Sequence, residues 1–319
     1  MKILVTGGAG FIGSHLVRRL VRERVGSVAV LDNFHRGSVE SLADSLDEIR
    51  LLRADLRESA ALREALRGID LVYHLAAQSS VLGSEADADY TFQTNVSGTF
   101  DLLREARSHG VRRVVFTSSR EVYGDPLQLP VPETAPLRPK NLYGASKVAG
   151  EAYCSVSGSE GLETAVLRLA NVYGPGDTDR VIPLFVERAL QGRPLVLYGG
   201  QQVLDFVWID IAVEALWKVG FGDLIPGPVN VGSGQGVTIS NLAQRVLGLT
   251  GWRSAVKIDS ARQTEVTRFV ADVTRSQRVL GLDQPADPLF GLAEMVDWSR
   301  RQRAMSNSGQ ALAPIESAG

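Results

Sequence analysis

Short runs that are apolar nearly throughout recur along the first half of the chain: KILVT (2–6), VAVLD (28–32), RLLRA (50–54), LVYHL (71–75), RVVFT (113–117) and TAVLRL (164–169). A strand with one wet face would alternate apolar and polar residues, so continuous runs point to parallel strands covered on both faces. Amphipathic segments lie between them, such as the stretch ending at Gly110 that carries Phe92, Val96, Phe100 and Leu103. Strand–helix alternation with right-handed crossovers predicts an α/β fold built on a doubly wound parallel sheet.

After about residue 172 the rhythm loosens into pieces punctuated by proline and glycine, YGPGD, QGRPLVLYGG and LIPGPVNVGSG. These predict a smaller C-terminal lobe joined to the sheet domain. DPLFGLAEMVDW (287–298) predicts a helix with Asp287 at its N-cap, Pro288 at its first position and Leu289, Leu292, Met295 and Val296 on one face. The small, polar, aperiodic residues 304–319 read as a frayed tail. No internal repeat is visible.

Composition narrows the function. The chain has 319 residues, 44% of them hydrophobic, enough for a substantial core. The net charge of -2 arises from 34 basic and 36 acidic residues spread throughout, so no basic field exists to attract nucleic acid or an anionic membrane, and a small-molecule partner is expected. Cys154 is the single cysteine, which excludes an internal disulfide and fits a reducing compartment. The four histidines, His15, His35, His74 and His109, lack metal-ligand spacing, and no metal is expected. No apolar run is long enough to span a membrane and MKILVTGG leads directly into a strand, so a cytoplasmic location is expected.

The first strand runs into VTGGAGFIGSH, placing Gly7, Gly10 and Gly13 at the start of a helix. That spacing permits a tight turn and lets backbone N–H groups and the helix N-terminus approach a pyrophosphate. Asp32 closes the second strand 19 residues after Gly13, where a carboxylate can accept from both ribose hydroxyls. The two features together predict a dinucleotide site. Asp32 would repel a 2′-phosphate and so favours NAD over NADP, a preference that nearby Arg36 weakens. Asp55, at the end of the third strand, fits either the adenine amino group or a helix N-cap.

NLYGASKVAGE sets Tyr143 and Lys147 four residues apart, on one face of a helix, where an ammonium can make the phenol more acidic. An exposed Tyr/Lys pair is common on helices generally, so the spacing alone is weak. Ser119, 24 residues upstream at a strand end, supplies a hydroxyl to orient a substrate oxygen.

With these residues the chain resembles the extended short-chain dehydrogenase/reductases of the nucleotide-sugar epimerase/dehydratase family. The matching pieces include TGGAGFIGSHL, DNFHRG, ADLRE, HLAAQSSV, NVSGT, TSSREVYG, YGASKVAGE, LRLANVYGPGD, VIPLFVERAL and DFVWIDIAVEAL, in family order from residue 3 to about 299. The resemblance implies a Rossmann domain over 1–171, with strand and helix contributions from about 203–232, and a nucleotide-sugar lobe over 172–303. It implies NAD as cofactor, a nucleoside diphosphate sugar as partner, and a homodimer formed through the helix of the Tyr/Lys pair and its neighbour. Around the cofactor it places Phe11 and Ile12 beside the glycines, Asn33 beside Asp32, Leu56 beside Asp55, and Leu75, Ala76, Ala77, Asn95 and Thr117 along its path. Tyr143 becomes the base on the sugar 4-hydroxyl, Lys147 holds the nicotinamide ribose, and Ser119 bonds the 4-oxygen. Asn171 and Arg262 fall where relatives grip the substrate, the arginine at the diphosphate.

Two departures stand out. Relatives carry a diphosphate-binding arginine where QQVLDF has Leu204; Arg180 or Arg193 are candidates to replace it. Dehydratases carry adjacent Asp and Glu where TSSREVYG has Arg120 and Glu121. Arginine cannot donate a proton at neutral pH, which argues against 4,6-elimination. Three readings of the pair remain: a structural ion pair, Arg120 binding a substrate carboxylate or phosphate, or Glu121 acting as a base at C5. The expectation is an NAD-dependent 4-epimerase of a UDP-sugar of the glucose/galactose type. Alternatives are a UDP-glucuronate 4-epimerase or decarboxylase, a 4-keto sugar reductase, an unusual dehydratase, and a non-catalytic NAD-sensing protein.

Overall fold

The computed structural model describes residues 1–252, 255–262 and 264–307. In chain order the strands are β1 (Lys2–Thr6), β2 (Ser27–Asp32), β3 (Ile49–Arg53), β4 (Leu71–His74), β5 (Arg113–Ser119), β6 (Glu163–Leu169), β7 (Asn171–Tyr173), β8 (Leu195–Tyr198), β9 (Val203–Trp208), β10 (Pro228–Val231), β11 (Gly236–Thr238) and β12 (Val256–Asp259). The helices are α1 (Phe11–Arg22), α2 (Ser59–Ala65), α3 (Val81–Ala86), α4 (Ala88–Thr91), α5 (Gly98–Ser108), α6 (Leu142–Ser159), α7 (Val181–Leu190), α8 (Ile209–Phe221), α9 (Ile239–Thr250), α10 (Thr274–Leu280) and α11 (Leu292–Asn307).

Seven strands form one sheet in the order β3-β2-β1-β4-β5-β6-β10, every neighbouring pair parallel. Its apolar runs have a simple cause. Ile3, Val5, Val28 and Val30 pack into one core with Leu16, Val17 and Leu20 of α1, whereas Leu4, Ala29 and Leu31 pack into a second with Leu102, Leu103 and Ala106 of α5. Successive strand residues point to opposite faces, so covering both faces requires apolar residues at every position. Each fully buried aliphatic side chain contributes about 1.5–3 kcal/mol, which makes the sheet the stable floor on which the site is built.

At Ala170 the chain leaves this sheet: β6 pairs with β5 and β10, and β7 pairs with β9 of a three-stranded sheet ordered β11-β9-β7. A two-stranded β12-β8 ladder completes the strands of the lobe. The chain returns to the large sheet with α8 and β10, so the returning segment begins at Ile209, while β9 belongs to the lobe. Phe206, Trp208 and Tyr173 continue the α1-side core into the lobe, tying the two parts together.

Three sequence expectations need correction. α11 starts at Leu292, not at the predicted cap; the Asp287 carboxylate instead closes a turn by accepting from Leu289 N at 3.0 Å. Its predicted apolar face is nevertheless inward, with Leu289, Leu292, Met295 and Val296 all buried. The same helix continues to Asn307, past the expected start of a tail at 304, and residues 308–319 lie outside the described residues. Finally, Phe92 and Phe100 are exposed because a π-helical turn at Phe92–Ser97 rotates the face, leaving Thr94, Asn95, Thr99 and Leu103 inward. No helix among the described residues is long and apolar enough to cross a membrane.

Candidate active site

A cavity of about 730 Å³ opens at the C-terminal ends of the parallel strands, between the sheet and the lobe. Such a crevice is where an open α/β sheet takes its ligand, because loops on either side of the strand order's switch point separate there. Its floor is the glycine turn. Gly7 has φ +71°, and a Cβ there would meet Ala76 N at 2.6 Å; a Cβ on Gly13 would meet Gly7 O at 2.1 Å. Gly10 caps α1 without a side-chain bond, and Gly10, Phe11, Ile12 and Gly13 line the cavity. Only a side-chain-free turn lets strand, helix and neighbouring loop come this close while aiming helix N–H groups at an anion. This cradle fits a dinucleotide pyrophosphate.

The acidic residues flank it. Asp32 accepts from Ala9 N (2.9 Å) and Phe34 N (2.8 Å), fastening the glycine turn to the loop after β2. Burial pushes its pKa up, and the two backbone donors oppose that. Asp55 accepts from Arg57 Nε (2.8 Å), Arg57 Nη2 (2.9 Å) and Asn33 Nδ2 (2.8 Å), and the arginine lowers its pKa to about 2. It also closes a turn with Arg57 N, yet the N-cap of α2 is Glu58. Asn33, Leu56, Leu75, Ala76, Ala77 and Thr117 also line the cavity. Asn95 does not: it is 2% exposed, accepting from Gln78 N and donating to Gln78 O and Ser146 Oγ. Its amide braces the loop after β4 against α6, and all three bonds use it up.

Tyr143 and Lys147 sit in the first two turns of α6, whose N-cap Asn141 accepts from Gly144 N at 2.8 Å. Lys147 is 3% exposed and donates to the Thr117 carbonyl at 2.8 Å, with Nζ 5.8 Å from the centre of the Tyr143 ring. The two side chains share a face. Burial lowers the Lys147 pKa to about 8. Burial raises the Tyr143 pKa, opposed by the charge of Arg180, the nearby Ser119 hydroxyl and the charge of Arg36. Among the charges that oppose the rise, Arg180 is the first, and the Lys147 ammonium is engaged by the Thr117 carbonyl.

Arg120 and Glu121 form the ion pair that the sequence left open. Arg120 Nη2 lies 2.8 Å from Glu121 Oε1, with the side chains 12% and 6% exposed. Arg120 Nε donates to Asn171 Oδ1 at 3.1 Å, and Glu121 Oε2 accepts from Asn141 Nδ2 at 2.8 Å. Each carboxylate oxygen thus has a partner, and Arg120 and Glu121 both line the cavity. Asn171 is likewise committed, donating to Asp205 O at 2.8 Å.

The lobe-side wall differs most from the sequence reading. Leu204 lines the cavity and is 8% exposed. Arg193 is exposed and is not among the described lining residues, whereas Arg180, Arg188 and Arg262 are. Arg262 stacks on Tyr198, Cζ 3.7 Å from the ring centre, and pairs with Glu265 at 2.8 Å. Arg180 pairs with buried Asp177 at 2.8 Å, whose pKa burial raises to about 6. Arg36, read as a possible modifier of nucleotide preference, donates instead to Ser79 Oγ at 3.0 Å and to Asp179. Sequence reasoning missed Asp177, Asp179, Arg188 and Ser79; the charge-dense GDTDR turn, unlike anything else in the glycine-rich lobe segments, was the available signal.

Residues 3–232 match the family model described as NAD dependent epimerase/dehydratase family. The chain belongs to that family. A UDP-glucose 4-epimerase of Mycolicibacterium smegmatis is 35% identical over 319 residues, covering 95% of this chain and 99% of the relative. UDP-glucuronic acid decarboxylase 5 of Arabidopsis thaliana is 33% identical over 92% of this chain and 88% of its own length. Among solved structures, Thermus thermophilus UDP-glucose 4-epimerase in complex with NAD superposes with a TM-score of 0.88 at 35% identity, covering 94% and 99% of the two chains. A dTDP-glucose 4,6-dehydratase of Streptomyces venezuelae superposes with a TM-score of 0.90 at 35% identity, covering 95% and 98%. Membership of the nucleotide-sugar epimerase/dehydratases is thereby shown, and activities within it divide among neighbours of similar closeness.

Proposed function

We propose that this chain is an NAD-dependent 4-epimerase of a UDP-sugar. The carrying observation is that Ser119, Tyr143 and Lys147 line one cavity together with the glycine cradle, with Lys147 on the same helix face as Tyr143. NAD, when bound, accepts hydride from C4 of the sugar and returns it. Tyr143 takes the 4-hydroxyl proton, Ser119 orients that oxygen, and Lys147 engages the nicotinamide ribose. Lowering a phenol pKa from about 10 towards 7 needs roughly 4 kcal/mol of differential stabilisation. Burial works against it, so the cations around the cavity must exceed that cost; Arg180 and Arg36 contribute, and Lys147 joins them once the site fills.

The Arg120–Glu121 pair favours epimerisation over dehydration. Arginine is no proton donor at neutral pH, and Glu121 has both oxygens bonded. With Leu204 apolar, Arg180, Arg188 and Arg262 are the lining cations suited to a diphosphate. The purified protein, given UDP-glucose or UDP-galactose and no added NAD, is expected to interconvert them with no change in product mass. Loss of carbon dioxide or of water, or no reaction with either sugar, overturns the reading.

A further inference from the structure

The segment from Gly174 to Arg180 crosses from the lobe onto the nucleotide domain. Gly174 (φ +157°) and Gly176 (φ +89°) let it bend, and a Cβ on Gly176 would stand 3.7 Å from the Phe11 ring. His15 Nε2 lies 2.8 Å from Pro175 O, and the Arg180 guanidinium carbon stands 5.6 Å from the Phe11 ring centre. Phe11 and His15 belong to the first turns of α1, so this segment roofs the helix N-terminus that faces the cavity. Its outer edge ends at Asp179. There Arg36, rising from the loop after β2, joins Asp179 of the roof to Ser79 of the loop after β4. Three segments that wall the cavity on different sides therefore meet through one guanidinium.

We propose that Arg36 and Asp179 form a latch that retains the dinucleotide in its cradle. The inference rests on reading the cavity as an NAD site and is independent of which sugar reacts. A reaction that takes a hydride and gives it back never needs to release its cofactor, and a roof tied across the pyrophosphate position slows release. Arg36, Ser79 and Asp179 all line the same cavity as Tyr143. Asp179 takes no part in the chemistry proposed above; it is half-exposed and Arg36 less so, a geometry suited to opening.

The test is the rate at which the loaded protein gives up NAD, followed by trapping released cofactor with an excess of an NAD-consuming dehydrogenase. Asp179→Asn is expected to release NAD roughly fivefold faster, the scale of a partly exposed ion pair, and Asp179→Glu to stay near the wild-type rate. Raising the salt concentration should speed release from the wild type and leave Asp179→Asn less affected. Melting of the cofactor-free proteins separates a folding defect from an opened latch: a folded Asp179→Asn protein that releases NAD at the wild-type rate, or more slowly, overturns the latch. Wild-type protein that binds no NAD would instead overturn the cofactor reading itself.

Discussion

The two walls of the cavity are built by different means. On the nucleotide side, Gly7 and Gly13 are fixed by backbone approach, a Cβ standing 2.6 Å from Ala76 N of the loop after β4 and 2.1 Å from Gly7 O, and Asp32 ties down the turn from the end of β2. On the lobe side, Arg180 and Arg188 come from α7 and its cap, Leu204 from β9 and Arg262 from a later loop, and Arg180 and Arg262 are held by side-chain partners, Asp177 for the first and Tyr198 with Glu265 for the second. The first wall has one solution and serves one ligand chemistry. The second depends on individual side chains, and the family includes epimerases, decarboxylases and a dehydratase that are all about one-third identical to this chain.

Substitutions on the two walls should therefore fail differently. The largest effect is expected at their junction: Tyr143→Phe should lower turnover about 10³-fold, near 4 kcal/mol, since it removes the proton acceptor and leaves the packing. Steady-state rates alongside the bound NAD content check this. Arg120→Leu comes next, at about 3 kcal/mol of stability, because it strands the Glu121 carboxylate in a site where that residue is 4% exposed. Denaturant melts of Arg120→Leu, Glu121→Gln and the double variant measure the coupling; additive losses would mean the pair is not a unit. On the backbone-built wall, Gly13→Ala should cost about 2 kcal/mol by overpacking against Gly7 O and abolish NAD retention together with it. A folded variant that keeps NAD would break the contrast between the walls.

The smallest expected effect is the pH dependence of Lys147. Burial lowers its pKa to about 8, so the ammonium is fully present below that value and is lost as pH rises through it. Activity that needs the cation should fall on the alkaline side with that midpoint. Lys147→Arg, which keeps its charge throughout, should shift the limb upward in kcat/KM profiles, whatever its maximal rate.

What could be read without coordinates follows the same division. β1, β2 and β4 to β6 appear within a residue or two of their apolar runs, because full coverage on two faces leaves little choice of residue. The Tyr/Lys spacing and the glycine turn are local, and they too are visible. Asn95 shows the limit of a motif, which says which loop a residue occupies and not whether its amide is already bonded. The Arg36–Asp179 contact spans 143 residues of sequence, and no periodicity encodes such a meeting. Arg120 lay between: its neighbour was evident, but only the bond from Asn141 to Glu121 and the bond from Arg120 to Asn171 reveal that the pair is held on both sides.

The most direct test of the account uses UDP-glucose carrying deuterium at C4. Transient oxidation by a cofactor that never leaves predicts UDP-galactose with the deuterium still at C4 and the mass unchanged. Deuterium lost to solvent, or a product lighter by carbon dioxide or water, would contradict it.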